Sequence, residues 1–359
     1  MRILLVNQSL DFSSGTSYTM DLATELMKRG EKVQLCTFGG EWRQQFRDVG
    51  IETYKVKYNL FSWWKLIDFL REFNPHLLHV QTFRSLSLGQ KLAQKLGKPY
   101  IFTVHRRPRE DQEFSPGKNL AGVVAVNEVI RESLVNDLGL PKNIVRVIRR
   151  GIRFPKPRAN LSSSGEIEAH VPVVGIVGRL VPEKGQEFLI RACRRLLNRG
   201  VQVHVAIVGE GPDEPRLREI VKDLDLETHV TFSPPLFRRA DVYGLFDIVA
   251  LPVLSSGVGI TALEAMAMKK PLIASGVGEM LHVVQDGKTG LLIPEGNAEI
   301  LADRIGDLIR NPELRITLAR NGREWVEKNF ALEPMVNETQ QFYQEALDES
   351  GERSRAAAR

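Results

Sequence analysis

Cysteine and long apolar runs are both scarce in this sequence. The 359 residues include two cysteines, Cys36 and Cys193, which cannot form a disulfide framework or a cysteine-cluster metal site. No apolar run approaches the ~20 residues that a membrane-spanning helix needs. The short apolar run near the amino terminus is too brief for a secretory signal, and we interpret it as a strand. These features predict an intracellular, cytoplasmic protein.

Several catalytic motifs are also missing. The sequence contains no Walker A loop, no G-x-S-x-G and no H-E-x-x-H pattern. Gly175-x-x-Gly178 and Gly209-x-Gly211 fall short of the dinucleotide fingerprint, and no histidine–cysteine cluster suits a metal ion. We therefore expect no metal and no cofactor.

The composition is that of a globular protein with more than one domain. Hydrophobic residues make up 43% of the chain and charged residues 26%, which argues against intrinsic disorder. The length suits two domains of roughly 150–200 residues each.

The net charge of +5 is distributed unevenly. Residues 1–155 hold 24 lysines and arginines against 15 acidic residues, whereas the remainder holds 25 against 29. The basic half indicates an anionic partner such as nucleic acid, an anionic membrane or a phosphorylated acceptor, unless its charges form only a solvated face. No module that combines aromatic and basic residues to read bases is present, so we do not expect nucleic acid.

Apolar runs alternate with helical stretches along the chain. The runs are continuous, as strands buried on both faces of a parallel sheet require. In the first half they cover residues 3–6, 33–37, 77–80, 100–104, 122–126 and 145–148. In the second half they cover residues 173–177, 203–208, 229–232, 248–252, 271–274 and 290–293. The pattern predicts two doubly wound α/β domains facing a cleft, with ligands at the carboxyl ends of the strands.

A segment rich in proline, serine and glycine interrupts this alternation. It predicts a linker over residues 156–171, between domains at 1–155 and 172–332. Residues 349–359 lack apolar content and predict a disordered tail.

Two cations occur in the loop that follows the first strand of the second domain. Residues 178–185 read GRLVPEKG, so Arg179 and Lys184 project from one loop at a strand's carboxyl end. The guanidinium group of arginine can donate two parallel hydrogen bonds, and the ammonium group of lysine is a compact positive charge. Together they suit a diphosphate. Spacing alone leaves a surface loop with two solvated cations equally open.

A second loop of small residues leads from a strand into a helix. Ser256, Gly257, Val258 and Gly259 precede or open that helix, whose free amides attract phosphate. Glu264 lies about one and a half turns further on, where its carboxylate suits the vicinal hydroxyls of a ribose. An exposed helix glutamate with no ligand is the alternative.

Two residues of the first domain are further candidates. Gly15, in the loop 13–17, would let the backbone approach a ligand, although helix capping alone explains the neighbouring hydroxyl residues. His105 follows a strand, where a neutral imidazole can bind a sugar hydroxyl. A purely structural histidine is the alternative.

Residues 61–73 have the pattern of an amphipathic helix. Trp63, Leu66, Ile67, Leu70 and Phe73 form one apolar stripe, which we expect to lie in the core. Trp64 and Arg71 lie off the stripe. We hypothesise that they contact an anionic membrane surface.

Several longer motifs occur in a fixed order. In the second domain they read GRLVPEKG, IVGEGP, FDIVALP, GVGITALEAMA, PLIASGVGE and DGKTGLLIP. The first domain adds MRILLV, LATELMKRGEKV, NPHLLHVQ, TVH and RRGI. With these motifs the sequence resembles the retaining glycosyltransferases of family four (group 1 glycosyltransferases), which have the GT-B fold.

The resemblance implies roles for the matching residues of the second domain. Arg179 and Lys184 would hold the diphosphate of a nucleotide sugar, and Glu264 would bind the ribose hydroxyls. Glu210 and Gly211 would border the nucleotide pocket. The loop at residues 256–259 would belong to the same donor site.

The resemblance also assigns the first domain to the acceptor. Gly15 would lie by the phosphates and the reacting sugar, His105 would contact that sugar, and a final helix over residues 333–347 would cross back onto the first domain. The expected acceptor is a glycan or a lipid-linked carbohydrate. Surface polysaccharide, lipopolysaccharide or glycolipid synthesis, with peripheral attachment at the inner face of the plasma membrane, is the implied setting.

Two positions depart from the family pattern. Ser256 stands where the first of two glutamates is usual, and Ser14-Gly15 replaces a double glycine. The resemblance implies metal-independent sugar transfer with retention of configuration. A nucleotide-sugar epimerase or sugar phosphorylase of the same fold is one alternative, and a non-catalytic nucleotide-sugar-binding protein, suggested by Ser256, is another.

Overall fold

The computed structural model describes residues 1–11, 13–57, 59–108, 114–154, 171–235, 239–255 and 259–357. The chain divides into two compact units. One contains residues 1–151 and 332–359, and the other contains residues 152–331. Residues 156–170 of the predicted linker lie outside the described part of the chain.

The first unit is built on a parallel sheet of seven strands among its described residues. The strands are β1 (Arg2–Asn7), β2 (Lys32–Thr37), β3 (Glu52–Lys55), β4 (Leu77–Val80), β5 (Tyr100–Val104), β6 (Leu120–Ala125) and β7 (Val145–Val147). Their order across the sheet is β3-β2-β1-β4-β5-β6-β7, and each neighbouring pair is parallel. Strands β4, β5 and β6 are buried throughout, as their continuous apolar runs predict.

Helices connect these strands. They are α1 (Ser14–Lys28), α2 (Arg43–Asp48), α3 (Leu60–Phe73), α4 (Phe83–Leu96) and α5 (Glu128–Asn136). Four of them begin at a polar side chain that accepts a hydrogen bond from the backbone N–H three residues further on, which stabilises the helix start. These caps are Ser13, Asn59, Thr82 and Asn127.

The second unit repeats the plan with six strands in its described part. They are β8 (Val173–Val177), β9 (His204–Val208), β10 (Val230–Ser233), β11 (Ile248–Leu251), β12 (Leu272–Ser275) and β13 (Leu291–Ile293). The order is β10-β9-β8-β11-β12-β13, again with parallel neighbours. The helices are α6 (Gln186–Asn198), α7 (Glu214–Asp223), α8 (Arg239–Gly244), α9 (Ile260–Ala267), α10 (Met280–Val283), α11 (Ala298–Arg310) and α12 (Pro312–Asn329).

The last helix, α13 (Leu332–Ala357), belongs to the first unit. Its Met335, Val336 and Tyr343 pack with residues of β1 and α1 in one core cluster. The helix is longer than the predicted 333–347 and extends over residues 349–357, where the sequence predicts a disordered tail. Glutamate, arginine and alanine favour helix even where apolar residues are missing.

The predicted α/β architecture with two doubly wound sheets is confirmed. The short strand β3 at the sheet edge is not among the predicted strands. In each unit the strand order reverses at one place, between β1 and β4 and between β8 and β11. Open parallel sheets bind ligands at the carboxyl ends of the strands beside such a switch point. Across the described residues, no helix combines the length and apolarity needed to cross a bilayer.

Candidate functional site

The loop after β8 is fixed by backbone hydrogen bonds. The N–H of Gly178 donates to the carbonyl of Val208 (3.0 Å), and the N–H of Leu180 donates to that of Glu210 (2.8 Å). A single 3₁₀ turn over Pro182–Lys184 follows, and Gly185 then starts α6 with a φ of +72°. The carboxyl ends of β8 and β9 are therefore joined, and the cation-bearing loop has a defined backbone.

Three glycines allow the neighbouring loops to pack backbone against backbone. A Cβ at Gly185 would lie 1.9 Å from the carbonyl oxygen of Pro252, just after β11. A Cβ at Gly209 would lie 1.8 Å from the oxygen of Gly178, and one at Gly211 would lie 2.2 Å from that of Leu180. Packing alone thus requires glycine at position 211, and its role beside a nucleotide stays a prediction.

The loop after β11 is tied to the same structure. The N–H of Leu254 donates to the carbonyl of Glu183 at 2.9 Å, so the loops that follow the two switch-point strands are linked directly. Ser256, Gly257 and Val258 lie outside the described residues. Gly259 is the N-cap of α9.

Lys184 lines a small recess between these loops. Gly259, Thr261 and Met280 line it as well. Lys184 is partly buried, and this burial lowers the pKa of its ammonium group, while the carboxylate of Glu183 acts in the opposite direction. Its Nζ forms no salt bridge with the residues that the structure describes. The ammonium group is therefore free to bind an anion.

Arg179 differs from Lys184 in its exposure. Its side chain is exposed and forms no salt bridge within the described ranges. Its carbonyl accepts a hydrogen bond from Nε2 of the buried Gln186 at 2.9 Å. The backbone of Arg179 is thus fixed, and its guanidinium group is available to an external anion.

Glu264 extends from α9, and its carboxylate has a defined partner. Oε2 of Glu264 accepts a hydrogen bond of 3.0 Å from the hydroxyl of Tyr243, a residue of α8 that is 1% exposed. Tyr243 is not evident from the sequence, because no motif links it to Glu264, 21 positions later. Glu210 is exposed in the loop after β9, and its backbone carbonyl accepts the hydrogen bond from the N–H of Leu180.

In the first unit, His105 follows β5. Both of its ring nitrogens are buried and lack a hydrogen-bond partner among the described residues. The ring packs edge-on against Tyr18, with the centroids 4.7 Å apart. Burial, with the charges of Arg150 and His79 as smaller causes, lowers the pKa of His105 to about 3. The imidazole is therefore neutral at physiological pH.

Gly15 is the second residue of α1. A Cβ built there would meet nothing nearer than Oγ of Ser13, at 4.0 Å, and its φ is not in the left-handed region. Unlike at Gly185, no neighbouring atom of the described structure would clash with a side chain at this position, so packing does not explain why the residue is glycine. The space beside it is consistent with the predicted close approach of a ligand.

The chain matches two family models. "Glycosyl transferases group 1" matches residues 158–325, and "Glycosyltransferase Family 4" matches residues 15–154. The two models together cover most of both units.

Some curated relatives match only part of the chain. The D-inositol 3-phosphate glycosyltransferase of Mycobacteroides abscessus is 39% identical over 43% of this chain and 36% of its own length. The alpha-D-kanosaminyltransferase of Streptomyces kanamyceticus is 31% identical over 48% of this chain and 46% of its own. These matches span less than half the length of either relative. An uncharacterised glycosyltransferase of Methanocaldococcus jannaschii is 23% identical over 92% of this chain and 94% of its own.

Solved structures share the fold over nearly the whole chain. Anabaena HepE in complex with UDP-glucose has a TM-score of 0.81 at 22% identity and covers 96% of this chain and 98% of its own. A glycosyltransferase from Rickettsia africae has a TM-score of 0.78 at 20% identity, with the same coverage of 96% and 98%. The two family models show that the chain belongs to the group 1 glycosyltransferases (family four), and the solved structures show that it has the GT-B fold.

Proposed function

We propose that this protein transfers a sugar from a nucleotide diphosphate sugar to a hydroxyl group of an acceptor. The observation that carries the proposal is the position of two cations without salt bridges to described residues, Arg179 and Lys184, at the switch point of a parallel sheet. The names of similar proteins support this donor class. Anabaena HepE was solved with UDP-glucose, and a similar mannosyltransferase of Mycolicibacterium smegmatis is GDP-mannose-dependent.

The two cations would stabilise the departing nucleoside diphosphate. Lys184 would provide a compact positive charge, and Arg179 would donate two parallel hydrogen bonds. The start of α9 at Gly259 would add backbone N–H groups that have no partner within the helix. Such fixed donors lower the barrier because they favour the charge that develops as the sugar leaves. We propose that these groups supply the positive charge without a metal ion or a further cofactor, with the nucleotide sugar as a substrate.

The remaining site residues would orient the donor. Glu264, held by Tyr243, would accept hydrogen bonds from the ribose hydroxyls, and Glu210 and Gly211 would border the nucleotide. Gly15 and His105 keep the roles that the family resemblance assigns to them, beside the phosphates and the sugar. The loop of Ser256, Gly257 and Val258 would complete the donor site next to Gly259.

Retention of configuration would follow from attack on the face that the diphosphate leaves. The bond between the anomeric carbon and the phosphate oxygen breaks while the acceptor oxygen bonds to the same face of that carbon. The acceptor's proton passes to the departing phosphate oxygen. This step needs no protein base, in keeping with a His105 whose low pKa makes it a poor one.

The acceptor would be a glycan or a lipid-linked carbohydrate. Lysines and arginines exceed acidic residues by 24 to 15 in residues 1–155, which suits an acceptor near an anionic surface. On α3, Trp64 is 50% exposed and its ring lies 5.5 Å from Nζ of Lys95 on α4. We also propose that the protein contacts an anionic membrane peripherally and takes part in the synthesis of a surface polysaccharide, lipopolysaccharide or glycolipid.

A non-catalytic nucleotide-sugar-binding protein is the second candidate. The serine at position 256, where the family usually has a glutamate, favours it. An epimerase would need an acid and a base at the sugar ring, and His105 does not supply them at neutral pH.

Binding and turnover of nucleotide sugars test the proposal. UDP, GDP, UDP-glucose and GDP-mannose would each be added to the full chain while its thermal unfolding is followed, because a ligand that binds the folded state raises the melting temperature. We expect one nucleotide series to stabilise the protein and its sugar form to be hydrolysed slowly or transferred to an added glycan. Stabilisation without turnover would favour the non-catalytic candidate. The absence of stabilisation by any nucleotide would contradict both.

A further inference from the structure

Polar side chains lie side by side where three strands of the first sheet end. Val6 of β1 is paired with Val80 of β4, and Val80 with Phe102 of β5. The next residues in register are Asn7, Gln81 and Thr103. The N–H of Gln81 donates to the carbonyl of Val6 at 2.9 Å, so the ladder continues through this row. The row lies at the switch point between β1 and β4.

The neighbours of Gln81 are hydrogen-bonded. Nδ2 of Asn7 donates to Oγ1 of Thr19 on α1 at 3.1 Å. The buried His79 bonds Oγ1 of Thr103 through Nε2 at 2.6 Å, and the hydroxyl of Tyr343 through Nδ1 at 2.5 Å. These bonds fix the polar side chains on both sides of Gln81.

Gln81 itself is different. Its exposed fraction is 0%, yet neither Oε1 nor Nε2 has a hydrogen-bond partner among the described residues. A buried amide without partners costs free energy, which native proteins seldom retain without a reason. An amide offers two donors and an acceptor, the combination that a sugar hydroxyl satisfies.

A second group of the same kind lies close by. His105 is two residues beyond Thr103, and strand alternation places both on the sheet face that carries His79 and Gln81. Neither ring nitrogen of His105 has a partner among the described residues. Gln81 and His105, whose side-chain polar atoms are buried, thus follow adjacent strands at the carboxyl end of the sheet, where ligands of parallel sheets bind.

The start of α1 is linked by hydrogen bonds to the row of polar residues. The carbonyl of Gly15 accepts from Oγ1 of Thr19 at 2.9 Å, and Thr19 in turn accepts from Asn7, the neighbour of Gln81. Gly15 has no side chain, and a Cβ there would have 4.0 Å of clearance. The start of α1, which is linked to the row of polar residues, therefore carries no side chain at position 15.

We propose that the amide of Gln81 binds a hydroxyl group of the sugar that is transferred, beside the imidazole of His105. This inference rests on the proposed function, because it takes the sugar of the nucleotide donor as the ligand. Gln81 would distinguish donors by their hydroxyl pattern, since a site built to hydrogen-bond a hydroxyl rejects sugars that lack it.

The test replaces the amide with an apolar side chain of similar shape, Gln81→Met. Affinities for UDP, GDP, UDP-glucose and GDP-mannose would be measured by calorimetry on the full chain. We expect the nucleoside diphosphates to bind within about twofold of the wild type, and the preferred nucleotide sugar to bind about tenfold more weakly, as the loss of one good hydrogen bond predicts. The difference between the sugar form and the diphosphate form isolates the sugar contact.

A stability measurement separates this role from a structural one. Removing an unpaired buried amide should leave the melting temperature of the ligand-free protein unchanged or raise it. Thr103→Val is the matched control, because it removes the bond to His79 and should lower the melting temperature. A Gln81→Met protein that is destabilised but binds the nucleotide sugar normally would overturn the inference. A wild-type protein that binds no nucleotide sugar would instead remove the proposed function, and this inference with it.

Discussion

The hydroxyl of Tyr243 donates a hydrogen bond of 3.0 Å to Oε2 of Glu264, and this bond joins α8 to α9. Tyr243 is 1% exposed, so its ring is held by the core of the second unit while its hydroxyl reaches a partly exposed carboxylate. The orientation of Glu264 therefore depends on a residue that need not touch a ligand itself.

Tyr243→Phe tests this dependence. The change removes the hydroxyl and keeps the ring, so we expect nucleoside diphosphates to bind about fivefold more weakly, the equivalent of ~1 kcal/mol for one hydrogen bond. Calorimetric titration with UDP and GDP gives the affinities. Tyr100→Phe is the matched control, because Tyr100 is a buried tyrosine of the first unit whose hydroxyl accepts from Gln90. Equal affinities in Tyr243→Phe and wild type would show that Glu264 needs no support from this hydroxyl.

Lys184→Ala should reduce turnover far more than stability. The ammonium group is partly buried without a salt bridge to any described residue, so its removal relieves desolvation in the ligand-free protein. Loss of one donor to the leaving group should lower kcat by about 10²–10³. Donor hydrolysis and urea unfolding would be measured on the same samples.

Lys270→Ala provides a control for that experiment. Burial lowers the pKa of Lys270 as it does for Lys184, but Lys270 lies just before β12, at the opposite end of the second sheet from the loop after β8. We expect Lys270→Ala to leave kcat unchanged. Similar kcat values for Lys184→Ala and wild type would remove the diphosphate role of Lys184.

The sequence predicts the sheets better than the details of the site. Buried strands such as β5 and β11 appear as continuous apolar runs, whereas β3 reads ETYK at the sheet edge and lacks that signal. Arg179 and Lys184 could be placed because a loop that follows a parallel strand lies at a known end of the sheet.

The partners of the site residues could not be predicted in the same way. The hydrogen bond of Tyr243 and the burial of the unpartnered Gln81 amide both arise only when separate elements pack together. The glycine at position 211 shows the reverse case. It was predicted as part of a pocket, and a close backbone contact with Leu180 explains its identity without a ligand.

Gly15→Ala should separate stability from activity. Alanine favours helix over glycine by up to ~1 kcal/mol, and a Cβ at this position meets no neighbour closer than 4.0 Å, so the free energy of unfolding should stay the same or rise. If a ligand approaches the Gly15 backbone, the added methyl group should reduce turnover at least about tenfold. Gly185→Ala is the contrasting variant, since a Cβ there would lie 1.9 Å from the oxygen of Pro252 and should destabilise the fold. Full activity in Gly15→Ala would remove the predicted contact.

Acid should destabilise the first unit through two histidines. Burial lowers the pKa of both His79 and His105 to about 3, against 6.5 for an ordinary histidine. Between these values the unfolded chain binds protons that the folded chain does not, so the free energy of unfolding decreases as the pH falls below about 6.5, by ~1.4 kcal/mol per pH unit for each histidine. At about pH 5 this amounts to ~2 kcal/mol per histidine.

The variant His105→Gln measures how much His105 contributes to this decrease in the free energy of unfolding at low pH. Urea unfolding at neutral pH and at about pH 5 should show a loss that is ~2 kcal/mol smaller in the variant. Carboxylates such as Asp213 and Glu187, whose pKa values hydrogen bonds from Arg216 lower, also weaken the fold in acid, but they do so equally in both proteins. The same pH dependence in the variant and the wild type would contradict a neutral, buried His105.

The face formed by α3 and α4 should bind anionic lipid. Trp64 is 50% exposed, and the adjacent α4 carries Arg84, Lys91 and Lys95 with no acidic residue. A tryptophan beside several cations suits the boundary between headgroups and acyl chains.

Each lysine near an anionic surface contributes about 1 kcal/mol, so Lys91→Glu together with Lys95→Glu should weaken binding to phosphatidylglycerol vesicles by more than about tenfold. Trp64→Ala should weaken it as well, because the buried apolar area of the ring is lost. Co-sedimentation with phosphatidylglycerol and with phosphatidylcholine vesicles measures both effects, and added salt should reduce the binding. Ile316→Ala, which removes an apolar side chain that is 67% exposed on α12 of the second unit, is the control and should bind as the wild type does. Undiminished binding of both α3 and α4 variants would assign the membrane contact to another surface or remove it.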